Sequence, residues 1–487
     1  MQDEKVSAGE KLSSEAHDLA ELGVAAAVAA IRDGDITSES YSAALLKRAR
    51  AFSELNSFIT IDESAVLAAA RDADKARAAG STAPLLGVPF GIKDSYATRG
   101  LRTTIGTAAL RNFVPVEDAE IVGAIRVAGG IVFGKNNLVE MSYGLTGNNG
   151  NYGQVKNPYN HGHISGGSSS GSGASVAARI VPAAFGGDSV GSIRVPASLC
   201  GVVGFKPTTG RWPRKGVAPI SHTLDTTGIL ARSVEDCELI DRIVAKDTSS
   251  ARSDRSDLKG AKFAYAPRQY LELIDPVVEA SFNNALRRLR DAGAQMIEVD
   301  LGDDFFSLAE QTTWNIFFHE TMQEISGFVR ENNFPVSFDE IYAELRSDIK
   351  DVWDQFVLPG SSGFLSSAAY TTALSVDLVE LRRRFDGVFV QSGAEAFIFP
   401  TTPCTAPSIE QQSAFTIAGK DVNQLALAKN TVPTSAAGLP GISIPMGLTS
   451  ERLPIGLEID GARGHDRALL DLARRVQATI GVLPASL

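Results

Sequence analysis

The sequence predicts an α/β fold. Between residues 86 and 213, short apolar strand-like runs alternate with Gly/Ser/Asn loops and helical segments, the pattern of a sheet with functional loops at its edge. Apolar runs of strand length return near the C-terminus, so the last third of the chain is expected to add strands to the same sheet.

Taken in order, segments 15–32 and 38–52 carry helical spacing, and 62–79 is a third helix with Asp62 as N-cap and Gly80 as stop. A short strand is expected at 57–61. Strands at 88–93, 131–133 and 202–205 then alternate with helices at 119–128 and 174–180. The Ser/Asp/Arg-rich stretch 246–259 reads as a domain boundary or equally as a surface loop. It precedes a strand, helix and strand at 262–266, 277–292 and 296–299. Residues 305–370 are rich in aromatics, among them Phe305, Phe306, Trp314, Phe317, Phe318, Trp353 and Phe356, at amphipathic helical spacing. Strands at 396–400, 442–445 and 455–459 and a closing helix at 467–480 complete the reading.

A length of 487 residues accommodates two or three average domains or one large α/β domain with insertions. The net charge of -11 comes without a basic stripe, which weighs against a nucleic-acid partner. Three cysteines, Cys200, Cys237 and Cys404, are odd in number and widely spaced, fitting neither a disulfide framework nor a metal site, so a cytoplasmic location is expected. Residues 1–23 lack the apolar core of a secretory signal, and no 18-residue apolar window suggests a membrane span.

Several local patterns imitate other chemistries. GGIVFGK at 129–135 nearly spells a phosphate-binding loop, but Asn136 stands where the magnesium-binding hydroxyl belongs, and an apolar run replaces flexible loop. G-x-S-x-G occurs at 167–171 and 187–191. A nucleophile elbow needs a strand running into the serine turn, and loop chemistry before the first copy denies it one. Of the six histidines only His161 and His163 are close in sequence, without a carboxylate or thiolate at ligand spacing, so no metal is expected. His465 beside Asp466 could imitate a triad pair, yet it sits at a helix start.

The specific signal is a series of motifs: SGGSSSGSGASVAAR at 165–179, GGDSVGSIRVPA at 186–197 and CGVVGFKPT at 200–208, preceded by GVPFGIKD at 87–94 and followed by GLPGISIP at 438–445 and LPIGL at 453–457. Together, in this order, they resemble the amidase-signature family of serine hydrolases from about residue 20 to the end. The chemistry has a physical logic of its own. A serine hydroxyl is a weak nucleophile that needs a base, and without a well-placed histidine the candidate is a lysine kept neutral by burial. Lys93 follows the apolar run 88–92. Lowering a lysine from about 10.4 to about 7 costs on the order of 4 kcal/mol, within the reach of desolvation. The ordinary alternative is an end-of-strand lysine snorkelling to solvent; the resemblance favours the base.

Carried over from the family, Ser192 is the nucleophile, Ser168 the bridging serine with a cis peptide bond, and Lys93 the base. The backbone N–H groups of Ser189, Val190, Gly191 and Ser192 form the oxyanion hole. Tyr143, Gly144 and Leu145 match the segment that faces substrate, and Asp188 and Arg194 brace the turn. Gly187 replaces the family's Thr and Val190 its first Gly, which puts local geometry in question. The resemblance implies a single α/β/α amidase-signature domain with a mixed central sheet over 15–487, after a tail at 1–14, with an aromatic-rich helical insertion at about 305–370. It implies hydrolysis of an amide, ester or carbamate through an acyl-serine, without a cofactor, by a protein often dimeric among relatives. The family does not choose among substrates; one hydroxyl and otherwise apolar surface at 143–145, with the aromatic-rich stretch 305–370 to cover it, lead to the expectation of an apolar, aryl-containing small molecule. The rivals are a non-catalytic binding protein of the same fold and an amidotransferase-type glutaminase subunit.

Overall fold

The computed structural model describes residues 19–248 and 255–486. The expected tail at 1–14, the start of the helix expected at 15–32 and the middle of the connector at 246–259 lie outside the described residues. Among the described residues there are thirteen strands: β1 (Phe58–Thr60), β2 (Pro89–Lys93), β3 (Ile131–Asn136), β4 (Ala183–Asp188), β5 (Val203–Lys206), β6 (Thr226–Ala231), β7 (Lys262–Tyr265), β8 (Gln295–Glu298), β9 (Ala396–Pro400), β10 (Ala414–Ile417), β11 (Lys420–Asn423), β12 (Gly441–Leu448) and β13 (Pro454–Asp460).

Eleven of them form one sheet in the order β1-β3-β2-β4-β6-β5-β12-β13-β9-β7-β8, and β10 and β11 form a separate hairpin. The sheet is mixed: β2 lies parallel to both β3 and β4, β7 lies parallel to β8 and β9, and the central strands from β4 to β13 pair antiparallel. Successive side chains of a strand point to opposite faces, and β9 shows the consequence. Ala396 and Ile398 join one hydrophobic core, while Phe397 and Phe399 join the other. The first core is closed by helices that include Val24–Asp33, Glu63–Ala78, Pro276–Asp291 and Asp466–Ile480, the second by Phe305–Glu331, Leu378–Ser392 and the short helices between them. The result is the expected α/β/α arrangement.

Local chemistry accounts for the boundaries. Asp62 caps the helix Glu63–Ala78 by accepting the Ala65 N–H at 3.0 Å, and Gly80, at φ 86°, ends it. The helix expected from 15 or so is interrupted at Gly23, with Val24–Asp33 as the continuous piece. The helix expected at 174–180 instead spans Ser170–Ala177, because the serines and glycines ahead of Ala174 are themselves helical. Strands β4, β6, β10 and β11 were not legible in the sequence. The phosphate-loop imitation at 129–135 falls largely on β3, and Lys135 is buried beside Asp94 at 3.2 Å. Among the described residues no helix is long and apolar enough to cross a membrane.

Candidate active site

All five residues of β2 are buried, because the strand lies between β3 and β4 inside the sheet. This puts Lys93 at the buried end of a strand. The chain is pinned beyond it by Asp94, which accepts the Thr104 N–H at 2.8 Å and the Thr104 hydroxyl at 2.5 Å. Lys93 is 2% exposed, and its Nζ donates to Ser168 Oγ at 2.8 Å. Burial pulls its pKa down to about 7, with the nearby carboxylates of Asp225 and Asp188 acting weakly in the opposite direction. The snorkelling alternative does not occur: the side chain is buried beside Ser168.

Ser168 is on the loop that leads into the helix Ser170–Ala177, and the Gly167–Ser168 peptide bond is cis. Gly166 has φ 76°, and a Cβ there would lie 3.0 Å from Pro196 Cα, so a side chain at this position would be strained and would crowd Pro196. Ser169 stitches this loop to β4, its hydroxyl donating to the Gly187 carbonyl at 3.1 Å and accepting the Gly187 N–H at 3.2 Å. The Ser169 N–H donates to the Ser192 carbonyl at 3.2 Å. The serine loop and the turn after β4 are thus held together through backbone. Ser192 is 6% exposed, and its hydroxyl makes no hydrogen bond to that of Ser168.

β4 runs directly into the turn 188–192, so the second G-x-S-x-G has the strand that the first lacks. Its central Ser189, however, donates its hydroxyl to Asp225 Oδ1 at 2.5 Å, with no histidine in that pairing. Gly191 has φ 141°, and a Cβ there would lie 2.2 Å from Thr431 Oγ1, which leaves glycine the one residue that fits. The same Thr431 hydroxyl donates to the Val190 carbonyl at 2.6 Å. Asp188 accepts from Arg194 Nε at 3.0 Å and Nη2 at 3.2 Å and from the Ile193 N–H at 3.2 Å. Burial pushes the Asp188 carboxyl up, but the Arg194 charge and its hydrogen bonds outweigh that and hold it below the usual range. Arg194 in turn reaches Glu458 Oε1 at 3.2 Å and Thr434 Oγ1 at 3.0 Å. The turn is therefore braced by the buried ionic contacts that Arg194 makes to Asp188 and Glu458.

A cavity of about 490 Å³ opens beside these groups, lined by Lys93, Ser168, Gly187 and Ser189, by the apolar segment 217–220, and by Phe328 and its helical neighbours. Charged residues, including Arg214, Glu324 and Arg330, line it as well. Ser142 reaches the cavity, whereas Tyr143, Gly144 and Leu145 are not among its lining residues. The Tyr143 ring packs edge-on against Phe317 and Trp353, and its hydroxyl is hydrogen-bonded to Thr321. Leu145 is 2% exposed, its N–H donating to Gln424 Oε1 at 3.1 Å. Among the described residues no group of three His, Cys, Asp or Glu side chains is placed to hold a metal ion.

Residues 41–470 match the Amidase family. The chain is 36% identical over 489 residues to mandelamide hydrolase of Pseudomonas putida, covering 97% of this chain and 94% of that protein. The chain belongs to the amidase family. It is also 31% identical over 438 residues to indoleacetamide hydrolase of Allorhizobium ampelinum, covering 90% and 93% of the two chains. A glutamyl-tRNA(Gln) amidotransferase subunit of Desulforapulum autotrophicum is 33% identical over 490 residues, covering 93% and 96%. A crystal structure of an amidase superposes with a TM-score of 0.84 at 27% identity, covering 94% of this chain and all of the other.

The amidase's two departures from the family pattern have visible consequences. At Gly187 a Cβ would meet Lys93 Nζ and the Thr226 carbonyl at 3.9 Å, ordinary contact distances, so the glycine leaves room beside the lysine. Val190 is 5% exposed and turns its side chain into the second core, so its bulk is absorbed away from the turn's backbone. Asp225, Thr431 and Glu320 escaped the sequence reading. Asp225 accepts the Ile220 and Ser221 N–H groups at 2.7 and 3.1 Å as well as the Ser189 hydroxyl, and burial raises its carboxyl. Thr431 reaches the turn from more than 200 residues away in sequence, and nothing local marks it.

Proposed function

We propose that this amidase cleaves the amide bond of an apolar, aryl-bearing small molecule through an acyl-serine intermediate, with Ser192 as nucleophile, Ser168 as proton bridge and Lys93 as base. The observation that carries the reading is the buried Lys93–Ser168 hydrogen bond of 2.8 Å, made by an amine whose pKa is drawn down to about 7. In the first step Ser192 Oγ bonds to the carbonyl carbon while its proton passes to Ser168 and the Ser168 proton to Lys93. The oxygen that becomes negative is met by the backbone N–H groups of Ser189, Val190, Gly191 and Ser192. The proton returns by the same route to the leaving nitrogen as the C–N bond breaks. Water then takes the place of the amine and releases the acid. An ester or carbamate would pass through the same acyl step.

The aryl preference is supported by the apolar lining at 217–220 and Phe328 and by the similarity to hydrolases of mandelamide and indoleacetamide. Tyr143, Gly144 and Leu145 enter this reading as the support behind Ser142. We read 15–487 as one domain, with 305–370 as its helical insertion, acting in the cytoplasm on small molecules, alone or as a homodimer, without nucleic acid, membrane or cofactor. Similarity to an amidotransferase subunit keeps glutamine hydrolysis as the rival. Labelling with a serine-reactive fluorophosphonate, followed by turnover of phenylacetamide, acetamide and glutamine, tests the reading. Label on Ser192 with aryl amide turnover supports it; no label, or glutamine as the fastest substrate, would sink it.

A further inference from the structure

The helix Phe305–Glu331 turns one face to the cavity, presenting Gln323, Glu324, Gly327, Phe328 and Glu331 at three- and four-residue spacing. Glycine in a helix interior is the poorest helix former after proline, so an interior glycine calls for a reason. The fold supplies none at 327. Its φ is not positive, and a Cβ built there meets no atom within 4 Å. Gly123, in the helix Glu120–Val127, is equally unconfined, so an open Cβ position alone says little. What sets Gly327 apart is its place in the wall of the cavity that also holds Lys93 and Ser168. Beside it Phe328, 8% exposed and packed on Phe334 at 4.9 Å, is a fixed apolar surface.

We infer that Gly327 is a specificity-determining position: it leaves side-chain volume empty in the wall of the cavity that Phe328 and the 217–220 segment also line, and that volume serves an aromatic group of the substrate. The inference rests on the amide-hydrolase reading above and deepens it. A side chain at 327 would project into the space that the ring needs, so the effect grows with side-chain size and falls on the aryl substrate.

The test is the ratio of kcat/KM for phenylacetamide to that for acetamide in the full-length chain, compared among the wild type, Gly327→Ala and Gly327→Leu, with thermal melting of each. The ratio is expected to fall about fourfold in the Ala variant, the scale of one methyl group, and at least about tenfold in the Leu variant, with the aryl amide's KM rising. Gly327→Ala should melt no lower than the wild type, since alanine favours the helix. A ratio within about twofold of wild type in a folded Leu variant overturns the inference. If the Leu variant does not fold, an unchanged ratio in the Ala variant overturns it instead. A wild type that hydrolyses neither amide overturns the amide-hydrolase reading, and the inference with it.

Discussion

Lys93 shows how one residue's surroundings set its chemistry. An amine with a pKa near 7 is about half neutral at physiological pH, whereas a free lysine is almost wholly charged. In the proposed role of base Lys93 must be neutral to take a proton, so kcat/KM is expected to rise as pH climbs through about 7 and to level off above it. A limb that moves when any single histidine is replaced would transfer the role of base to that histidine. The same shift has a stability consequence of definite sign. With the folded pKa below the unfolded value of about 10.4, the unfolded chain binds the extra proton between the two values, so stability rises with pH across that window. Below about 7 the fold carries the full cost of burying the lysine. Lys93→Met should therefore be inactive yet melt at or above the wild-type temperature at neutral pH, and a clearly lower melting point would count against the burial argument. Ser192→Ala should leave less than about a hundredth of the activity, since even one lost oxyanion donor costs about 10² to 10³. Ser168→Ala should be similarly severe, and its effect should not add to that of Lys93→Met, because the groups act as one unit.

At the scale of elements, the site depends on how the helical segment 305–370 is fastened to the sheet. Glu320, 5% exposed on the helix Phe305–Glu331, accepts the Thr223 N–H at 3.0 Å, the Thr223 hydroxyl at 2.6 Å, the Tyr370 hydroxyl at 2.5 Å and the hydroxyl of Ser221. The loop it grips ends at Asp225, which holds Ser189 in the turn after β4. Removing the carboxylate strands the buried Ser221 hydroxyl and the half-buried donors of Thr223 and Tyr370, at about 1–3 kcal/mol for each donor that water does not reach. Glu320→Ala is thus expected to lower stability by about 3 kcal/mol or more and kcat/KM by at least about tenfold, whereas Tyr370→Phe, which deletes one bond, should cost under about 1.5 kcal/mol. Equal losses in the two variants, read by denaturant unfolding and kinetics, would rule out the clamp. None of this was legible in the sequence. Elements with long periodic patterns or clear caps, such as Glu63–Ala78 and Pro276–Asp291, emerged from their own residues, and so did the lysine strand and the serine loop. β4 and β6 did not, because glycines and threonines blur their alternation and pairing within the sheet decides their conformation. Asp225, Glu320 and Thr431 are ordinary polar residues until the fold brings them to the turn.

For the whole molecule, the proposed substrate choice rests on what lines the cavity. The end of β2, the serine loop and the turn after β4 supply a polar wall through Lys93, Ser168 and Ser189, and the helical layer supplies Phe328 and an open glycine, with the apolar segment 217–220 also lining the space. Most aromatics of 305–370 pack against one another, in the core as Phe338 stacks on Trp353 at 5.1 Å, or half-buried as Phe318 stacks on Phe356 at 5.0 Å. Tyr143 belongs with them, so the apolar character of the cavity rests on few groups. A ring seated there removes apolar area from water at about 25 cal/mol per Å², a gain that acetamide cannot make. Glutamine presents the same amide but would carry its charged ammonium and carboxylate past the apolar segment, where an unpaired charge is costly. Charged residues such as Arg214 and Glu324 also line the cavity, so the discrimination should be smaller against glutamine than a wholly apolar pocket would give. We expect kcat/KM for an aryl amide such as phenylacetamide to exceed that for acetamide or glutamine by at least about tenfold, the scale of one or two buried methylenes. Initial rates across that series decide the matter: equal or reversed rates would remove the aryl preference and leave the Ser192 chemistry standing.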